Sequence, residues 1–256
     1  MKRAFIVTTL AVLCAAVLSA QNYKDGFYFA QDSDFVSNQK NQVALEVKGG
    51  KIASANWNII SLNAGAKDLK TIAKSGSVPA AANWANQAAT VEQFLVSSQN
   101  TKASSVPGGP SNVKPFFDLV QKALKAKAVA KGAYSKDGWY YAEAAAADEY
   151  HTKNSVLVTV VNGTVVDVLW NGILQGMPAS VNPSKMITSK ANGYPMTGAK
   201  KAWHVQAAAA AAALVKNQDP DKIKLKANGT PDGISGVTIQ VKEYVDVAKA
   251  AVQSAR

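Results

Sequence analysis

The stretch SVLVTVVNGTVVDVLWN, residues 155–171, consists of two runs of mainly β-branched residues on either side of Asn162-Gly163. Asn-Gly between two such runs is typical of a tight turn that joins antiparallel strands. The sequence therefore predicts a β-hairpin with strands at 156–161 and 164–170. A similar hairpin is predicted earlier in the chain, around Gly49-Gly50, with strands at 43–48 and 51–60.

The two hairpins belong to a longer internal repeat. Residues 24–30, KDGFYFA, match residues 136–142, KDGWYYA. Three further pairs of segments match in the same order: 42–58 with 155–171, 84–89 with 203–208, and 113–123 with 241–251. Because a repeat of this length indicates a repeated structural unit, we predict two tandem copies of one module, residues 22–127 and 134–256. A Lys/Ala-rich stretch that contains Gly132 joins them.

Each predicted module has the same order of elements. An aromatic strand opens it and the hairpin follows. An Ala-rich helix comes next, at about 80–96 in the first copy and 199–216 in the second. A glycine-containing loop then leads to a last helix, at about 113–127 and 240–254. Antiparallel strands followed by helices predict an α+β fold in which an antiparallel sheet packs against helices.

The first 20 residues have the features of a secretory signal peptide, most similar to a bacterial one. Lys2 and Arg3 precede an apolar run that ends in Leu18-Ser19-Ala20, a small-residue cleavage site. A lipid-anchored protein would need a Cys after a small residue, whereas Cys14 follows Leu13. We therefore expect export as a soluble periplasmic or cell-envelope protein, and we favour this over a lipid anchor.

Composition excludes some classes of protein. Apolar residues make up 48% of the 256 residues and charged residues 18%, which is typical of a globular chain. With one Cys and two His, a disulfide framework or a Cys-rich metal site is excluded. Residues 148–151, DEYH, are adjacent in sequence and do not converge on one face, so we interpret them as a solvated loop and expect no metal site.

The chain is basic, with 28 Lys and Arg against 17 Asp and Glu and a formal net charge of +11. The lysines are scattered, and no nucleic-acid recognition motif accompanies them. We therefore expect no nucleic-acid partner, and interpret the charge as favouring solubility and proximity to anionic envelope surfaces.

The segment DGISGVT, residues 232–238, is the strongest candidate for chemistry. Its two hydroxyl residues, Ser235 and Thr238, lie in a glycine-containing stretch just before the predicted last helix. At a helix start, free backbone amides and the helix dipole favour binding of a phosphate. A purely structural alternative is that one of these hydroxyls caps the helix while the glycines shape the loop.

This segment resembles the flavinylation motif of the FMN-binding domain family, Asp-x-x-Ser/Ala-Gly-Ala-Thr. That family includes flavin subunits of the Rnf and Nqr complexes and exported flavoproteins of extracellular electron transfer. The resemblance implies that a Mg-dependent flavin transferase uses FAD to join FMN through its phosphate to Thr238. Asp232, Ser235 and Gly236 would present that threonine to the transferase. Val237 stands where the family usually has Ala, which could slow the attachment or leave FMN bound without a covalent link.

Other parts of the second copy also resemble this family, in particular residues 193–196, GYPM, followed by 203–207, WHVQA. Met196 and Tyr194 could pack on the isoalloxazine ring or belong to the core. His204 could tune the flavin or be a simple hydrogen-bonding residue.

The first copy lacks the proposed attachment residue. Alignment of the last helices places Pro110 opposite Thr238, Gly108 opposite Gly236 and Ser104 opposite Asp232. Because proline has no hydroxyl, we predict one FMN per chain, held in the second copy, with the first copy as a scaffold or a partner surface.

The function implied by the resemblance is electron transport. The chain would carry electrons between a membrane-bound donor and an acceptor in the envelope, more as an electron carrier than as a turnover enzyme. Two alternatives remain open: a non-redox envelope binding or structural protein that keeps the module without flavin, and a non-covalent FMN binder.

Overall fold

The structure is a computed structural model, and it describes residues 23–176, 183–194, 196, 198 and 201–256. The predicted signal peptide, including Cys14, lies outside the described residues.

The first half is a four-stranded antiparallel sheet with three helices. The sheet order is β1-β2-β3-β4. Its strands are β1 Gly26–Gln31, β2 Gln39–Lys48, β3 Lys51–Ser61 and β4 Lys67–Asp68. Its helices are α1 Leu69–Lys74, α2 Pro79–Ser98 and α3 Lys114–Lys125.

The second half has a three-stranded antiparallel sheet in the order β5-β6-β7. Its strands are β5 Gly138–Glu143, β6 Thr152–Val161 and β7 Thr164–Leu174. Its helices are α4 Lys185–Lys190, α5 Trp203–Asn217 and α6 Lys242–Val252. The predicted α+β class, with antiparallel sheets packed against helices, is confirmed.

The repeated Lys-Asp-Gly sequence holds each hairpin turn. The carboxylate of Asp137 accepts hydrogen bonds from the backbone N–H groups of Asn162 (2.7 Å) and Gly163 (2.8 Å), both of which have positive φ. Asp25 accepts from Gly49 and Gly50 in the same way. The two backbone N–H groups at a tight turn form no hydrogen bonds with the neighbouring strand. The aspartate carboxylate therefore accepts from donors that would otherwise lack an acceptor in the protein.

Each half has its own aromatic core, and the two cores share a geometry. The rings of Trp57 and Trp84 lie 5.5 Å apart at 71°, and those of Trp170 and Trp203 lie 5.3 Å apart at 71°. In the second half, Tyr244 of α6 stacks on Trp170 at 4.7 Å. Edge-to-face and stacked pairs of this kind add to the energy of burial, so each sheet is held to its helices at this point.

A buried glutamine joins the two halves. Gln42 of β2 is fully buried, and its amide nitrogen donates to Gln31 (2.9 Å) and to Asp167 of β7 (2.7 Å). Its amide oxygen accepts from the Trp139 indole (2.5 Å) and from the Thr159 hydroxyl (3.0 Å). All four hydrogen-bonding positions of the amide are therefore used, three of them by the other half.

The buried residues of the Ala-rich helix α5 are regularly spaced, although the sequence of alanines is uniform. Ala207, Ala210, Ala211 and Leu214 are buried, whereas Ala208 and Ala212 are exposed. This is the i, i+3, i+4, i+7 pattern of a helix with one face on a core.

Among the described residues, no helix has the length and apolar character needed to cross a membrane.

Candidate functional site

A cavity of about 990 Å³ lies in the second half, where the sheet meets α4, α5, α6 and the loop before α6. Its walls include several aromatic side chains, and three of the sequence-predicted site residues line it: Tyr194, Met196 and Thr238. Trp170, Trp203 and Tyr244 of the aromatic core also reach it. The cavity therefore combines aromatic side chains with polar and charged ones, and the Thr238 side chain is among its lining groups.

Thr238 is exposed, and its position is set by a buried amide. The side-chain oxygen of Gln206 accepts hydrogen bonds from the backbone N–H of Thr238 (2.7 Å), from its hydroxyl (3.2 Å) and from the backbone N–H of Ile239 (3.2 Å). Helix α6 begins at Lys242 after Val241, and no side chain caps its first amides. The alternative that Thr238 or Ser235 caps this helix is therefore wrong.

Gln206 was not singled out from the sequence. It is 1% exposed in the second turn of α5, and its amide nitrogen donates to the backbone oxygen of Lys201 at 2.9 Å. The only signal was a glutamine at the head of an alanine tract, matched by Gln87 in the repeat. Its function in the fold is to fix the Thr238 backbone.

The other residues of the 232–238 segment surround Thr238 in a loop. Asp232 and Ser235 are exposed. Gly236 has a φ of +75°, which favours glycine, and the Nζ atom of Lys201 lies 2.6 Å from where a Cβ would be, so a lysine lies close to the segment. Val237 is 7% exposed and belongs to the second core, so its extra bulk over alanine is accommodated inside the protein.

A buried lysine that the sequence did not indicate lies in the same cavity. Lys185 begins α4 and is 4% exposed. Its Nζ atom lies 3.3 Å from the hydroxyl oxygen of Thr152, and 4.6 Å and 4.9 Å from the ring centres of Tyr194 and Trp203. Burial is the main cause that lowers the pKa of Lys185 to about 8, opposed by the negative charges of Asp148 and Glu243.

The position of Lys185 has a counterpart in the first half. There, Asn58 accepts from the backbone N–H of Lys70, as Asn171 accepts from that of Met186. This equivalence places Leu69 where the second half has Lys185. The same position therefore holds an apolar side chain in the first half and a charged one in the second. Alignment of the two short helices could have shown this difference and so indicated Lys185.

Tyr194 and Met196 lie at the border between the cavity and the second core. Each lines the cavity, and each packs against the second core. Burial is the main cause that raises the pKa of the Tyr194 hydroxyl, with a smaller contribution from the charge of Asp148. Tyr194 therefore remains a neutral ring beside Lys185 at neutral pH.

The structure also gives the positions of His204 and Asp148. His204 lines a different cavity, of about 630 Å³, and its Nδ1 atom lies 3.0 Å from the Ser189 hydroxyl. The structure therefore does not bring it together with Thr238.

Asp148, in the segment interpreted as a solvated loop, accepts from the backbone N–H groups of Tyr150 and Thr152 and lines the first cavity. Among the described residues, no cluster of three or more potential metal ligands is found.

Comparison with protein-family models gave no match, and comparison with the curated proteins gave none. Solved structures gave two similar proteins, both targets of the Northeast Structural Genomics Consortium. A Clostridium thermocellum protein, solved by NMR in solution, is 42% identical with a TM-score of 0.38, over 47% of this chain and 92% of its own. A Clostridium perfringens protein, solved as a crystal structure, is 22% identical with a TM-score of 0.29, over 40% of this chain and 87% of its own.

Proposed function

We propose that this chain is an exported electron carrier that holds one FMN, attached through its phosphate to the hydroxyl of Thr238. The observation that carries the proposal is the place of this exposed hydroxyl, on the lining of a cavity of about 990 Å³ that also has aromatic side chains in its walls. A threonine that only shaped the loop would not need a ligand-sized cavity beside it.

The residues present fit an FMN group. The cavity volume lies at the upper end of the range for small-molecule sites. Tyr194 and Met196, which are partly exposed, offer flat or adaptable apolar surface to an isoalloxazine ring, and Lys185 offers a buried positive charge. Lys201, beside Gly236, offers a second positive charge near the threonine for the phosphate. When bound, FMN supplies the acceptance and release of electrons.

The attachment reaction balances with FAD as the donor. The Thr238 oxygen bonds to the FMN-side phosphorus of FAD, the bond between that phosphorus and the bridging oxygen of the pyrophosphate breaks, and AMP leaves. The hydroxyl proton is released. A flavin transferase with Mg²⁺ would catalyse this step, so no metal is required in the chain itself. Gln206 holds the Thr238 backbone in place for it.

A covalent link has a physical reason in an exported protein. Outside the cytoplasm free FMN is dilute, and a reversible site would lose its ligand by mass action. The redox partners would be a membrane-bound donor and an acceptor in the cell envelope.

We further propose that the two halves are tandem copies of one FMN-binding-domain-like module. The repeated turn aspartates, Asp25 and Asp137, and the repeated tryptophan pairs support a common origin. In the first half Pro110 aligns with Thr238, so the first copy would carry no covalent flavin.

Mass spectrometry tests the attachment directly. The chain is produced together with a flavin transferase, and wild type should gain the mass of one FMN less one water, with the modified peptide containing Thr238. Thr238→Ala should remain unmodified and Thr238→Ser should be modified. Thr230→Ala is the matched control because Thr230 also lines the cavity.

Each other outcome points to one of the alternatives. Yellow protein that loses its colour on denaturation would indicate non-covalent FMN binding. A colourless and unmodified wild-type chain would indicate a non-redox binding or structural protein. Two flavins on one chain would contradict the assignment of the first half.

A further inference from the structure

Lys185 has an unusual environment for a lysine. Lysines are almost never fully buried unless a partner compensates their charge, and this one is 4% exposed. Among the described residues, no aspartate or glutamate forms an ion pair with it. Its neighbours are the neutral hydroxyl of Thr152 and the ring faces of Tyr194 and Trp203. Cation–π contacts of this kind offset only part of the cost of removing an ammonium group from water.

In the described part of the chain, four acidic side chains line the cavity, and the two whose charges act on Lys185 accept hydrogen bonds from other groups. Asp148, in the loop before β6, accepts from backbone N–H groups and from the Asn154 amide. Glu243, on α6, also accepts from Asn154. Both carboxylates act on Lys185 through their charges but do not contact it. The remaining charged or titratable lining groups are Glu149, Tyr150, Tyr194, Lys242, Tyr244 and Asp246, of which Lys242 and Asp246 pair with each other.

We propose that Lys185 is the ligand-directed positive charge of this cavity, and that it makes the cavity prefer planar aromatic rings that carry negative charge. The ammonium group lines the cavity and lies over the rings of Tyr194 and Trp203, so a flat ligand that enters the cavity would come close to the charge. A negative ring would supply the ion partner that the protein itself does not provide.

The identity of the ligand in this inference rests on the proposed function. There, the ring is the isoalloxazine of FMN, and Lys185 would stabilise it when it holds negative charge. A positive charge at a flavin makes reduction more favourable, so this residue would raise the reduction potential of the bound flavin. The first half, with Leu69 at the equivalent place, would lack this property.

The charge preference can be measured without any flavin. The full chain, produced without a flavin transferase, is titrated with 2-naphthoate and with 2-naphthamide, which share a ring system and differ in charge. Tryptophan fluorescence reports binding because Trp170 and Trp203 line the cavity. We expect naphthoate to bind at least tenfold more tightly at pH 7. This preference should fall as the pH rises through 8 to 9.5.

Two variants assign the preference to one residue. Lys185→Met keeps an unbranched side chain, one atom shorter than lysine, and removes the charge, and should abolish the preference. Lys190→Met is the matched control, since Lys190 is on the same helix but pairs with Asp34 at the surface. Equal binding of the two probes by wild type, including binding of neither, would overturn the inference, as would a preference that Lys185→Met retains.

A second measurement uses the flavin-loaded protein. Spectroelectrochemical titration of Lys185→Met should give a lower reduction potential than wild type, and Lys190→Met should give the wild-type value. An unchanged potential in Lys185→Met would contradict the assigned effect on the flavin. If mass spectrometry finds no flavin on Thr238, the proposed function fails, and the naphthoate titration still decides whether Lys185 selects anions.

Discussion

The side-chain oxygen of Gln206 lies 2.7 Å from the backbone nitrogen of Thr238 and 3.2 Å from its hydroxyl oxygen. One buried amide on α5 therefore sets the position of the residue to which we assign the flavin. The same oxygen also accepts from the backbone N–H of Ile239. It therefore binds two successive backbone N–H groups in the loop before helix α6.

Replacing Gln206 should affect both stability and attachment. Gln206→Leu leaves these backbone donors without their acceptor, and we expect the free energy of unfolding to fall by about 1–2 kcal/mol. Attachment of FMN to Thr238 should slow severalfold, because the loop loses its fixed geometry. Urea denaturation and a mass-spectrometric time course measure the two effects.

The control for this variant is Gln87→Leu, the aligned position in the first half, which is only partly buried. It should leave the attachment rate unchanged. Gln206→Glu keeps an acceptor oxygen and should retain more of the attachment rate than Gln206→Leu. If Gln206→Leu is modified at the wild-type rate, the loop does not depend on this amide.

Lys185 should make stability depend on pH in a defined direction. Its pKa is lowered from 10.5 to about 8 in the folded protein, so the unfolded chain binds more protons between these values. The free energy of unfolding should therefore rise as the pH increases from 8 to 10.5, and the unfavourable contribution of the buried charge is fully present below pH 8. Lys185→Met should remove this rise and be more stable at pH 7 by up to about 3 kcal/mol.

Urea denaturation at pH 7 and pH 10 measures this effect. Lys190→Met, which removes an exposed lysine of the same helix, should follow the pH dependence of wild type. A Lys185→Met protein with the same pH dependence as wild type would show that the lysine is hydrated in the folded state.

The buried amide of Gln42 should couple the two halves. Gln42→Leu leaves the Trp139 indole and the Thr159 hydroxyl without their acceptor, and the Asp167 carboxylate keeps only its hydrogen bond from the Gln31 amide. We expect a loss of about 3 kcal/mol and separate thermal transitions for the two halves. Differential scanning calorimetry measures both. Gln39→Leu, an exposed position of the same strand, should leave one transition at the wild-type temperature. A single unshifted transition in Gln42→Leu would contradict the coupling.

Gly132 should not tolerate a side chain. A Cβ at this position would overlap the backbone carbonyl of Gly163, at the turn of the second hairpin. Gly132→Ala must displace either the joining segment or the turn, and we expect a cost of about 1–3 kcal/mol. Chemical denaturation compares it with Lys131→Ala, a change at an exposed neighbour that should be nearly neutral. Equal stability of the two variants would mean that the turn moves freely.

The hairpins could be predicted because their signals are local. The turn glycines and the β-branched runs placed strands at 156–161 and 164–170, and the structure extends them to Thr152–Val161 and Thr164–Leu174. The long helices also lie close to their predicted positions. The short helices α1 and α4 were missed, since six residues are too few to show a periodic pattern.

The site could be predicted only in part. Thr238 belongs to a recognisable segment, whereas Gln206 and Lys185 acquire their functions from contacts with residues distant in sequence. Helix geometry explains why His204 lies away from the cavity that Thr238 lines. Residues two apart on a helix point about 200° away from each other, so Gln206 faces the Thr238 loop while His204 faces the second cavity.

The matched tryptophan pairs have a consequence for spectroscopy. Indole rings about 5 Å apart couple their electronic transitions, and the two halves hold such pairs at the same angle. In the part of the chain that the structure describes, the lining of the larger cavity includes Trp170 and Trp203 and leaves out Trp57 and Trp84. A ligand that enters this cavity would disturb the circular dichroism of one pair while the other stays constant, so a single molecule contains both the sensor and its internal standard.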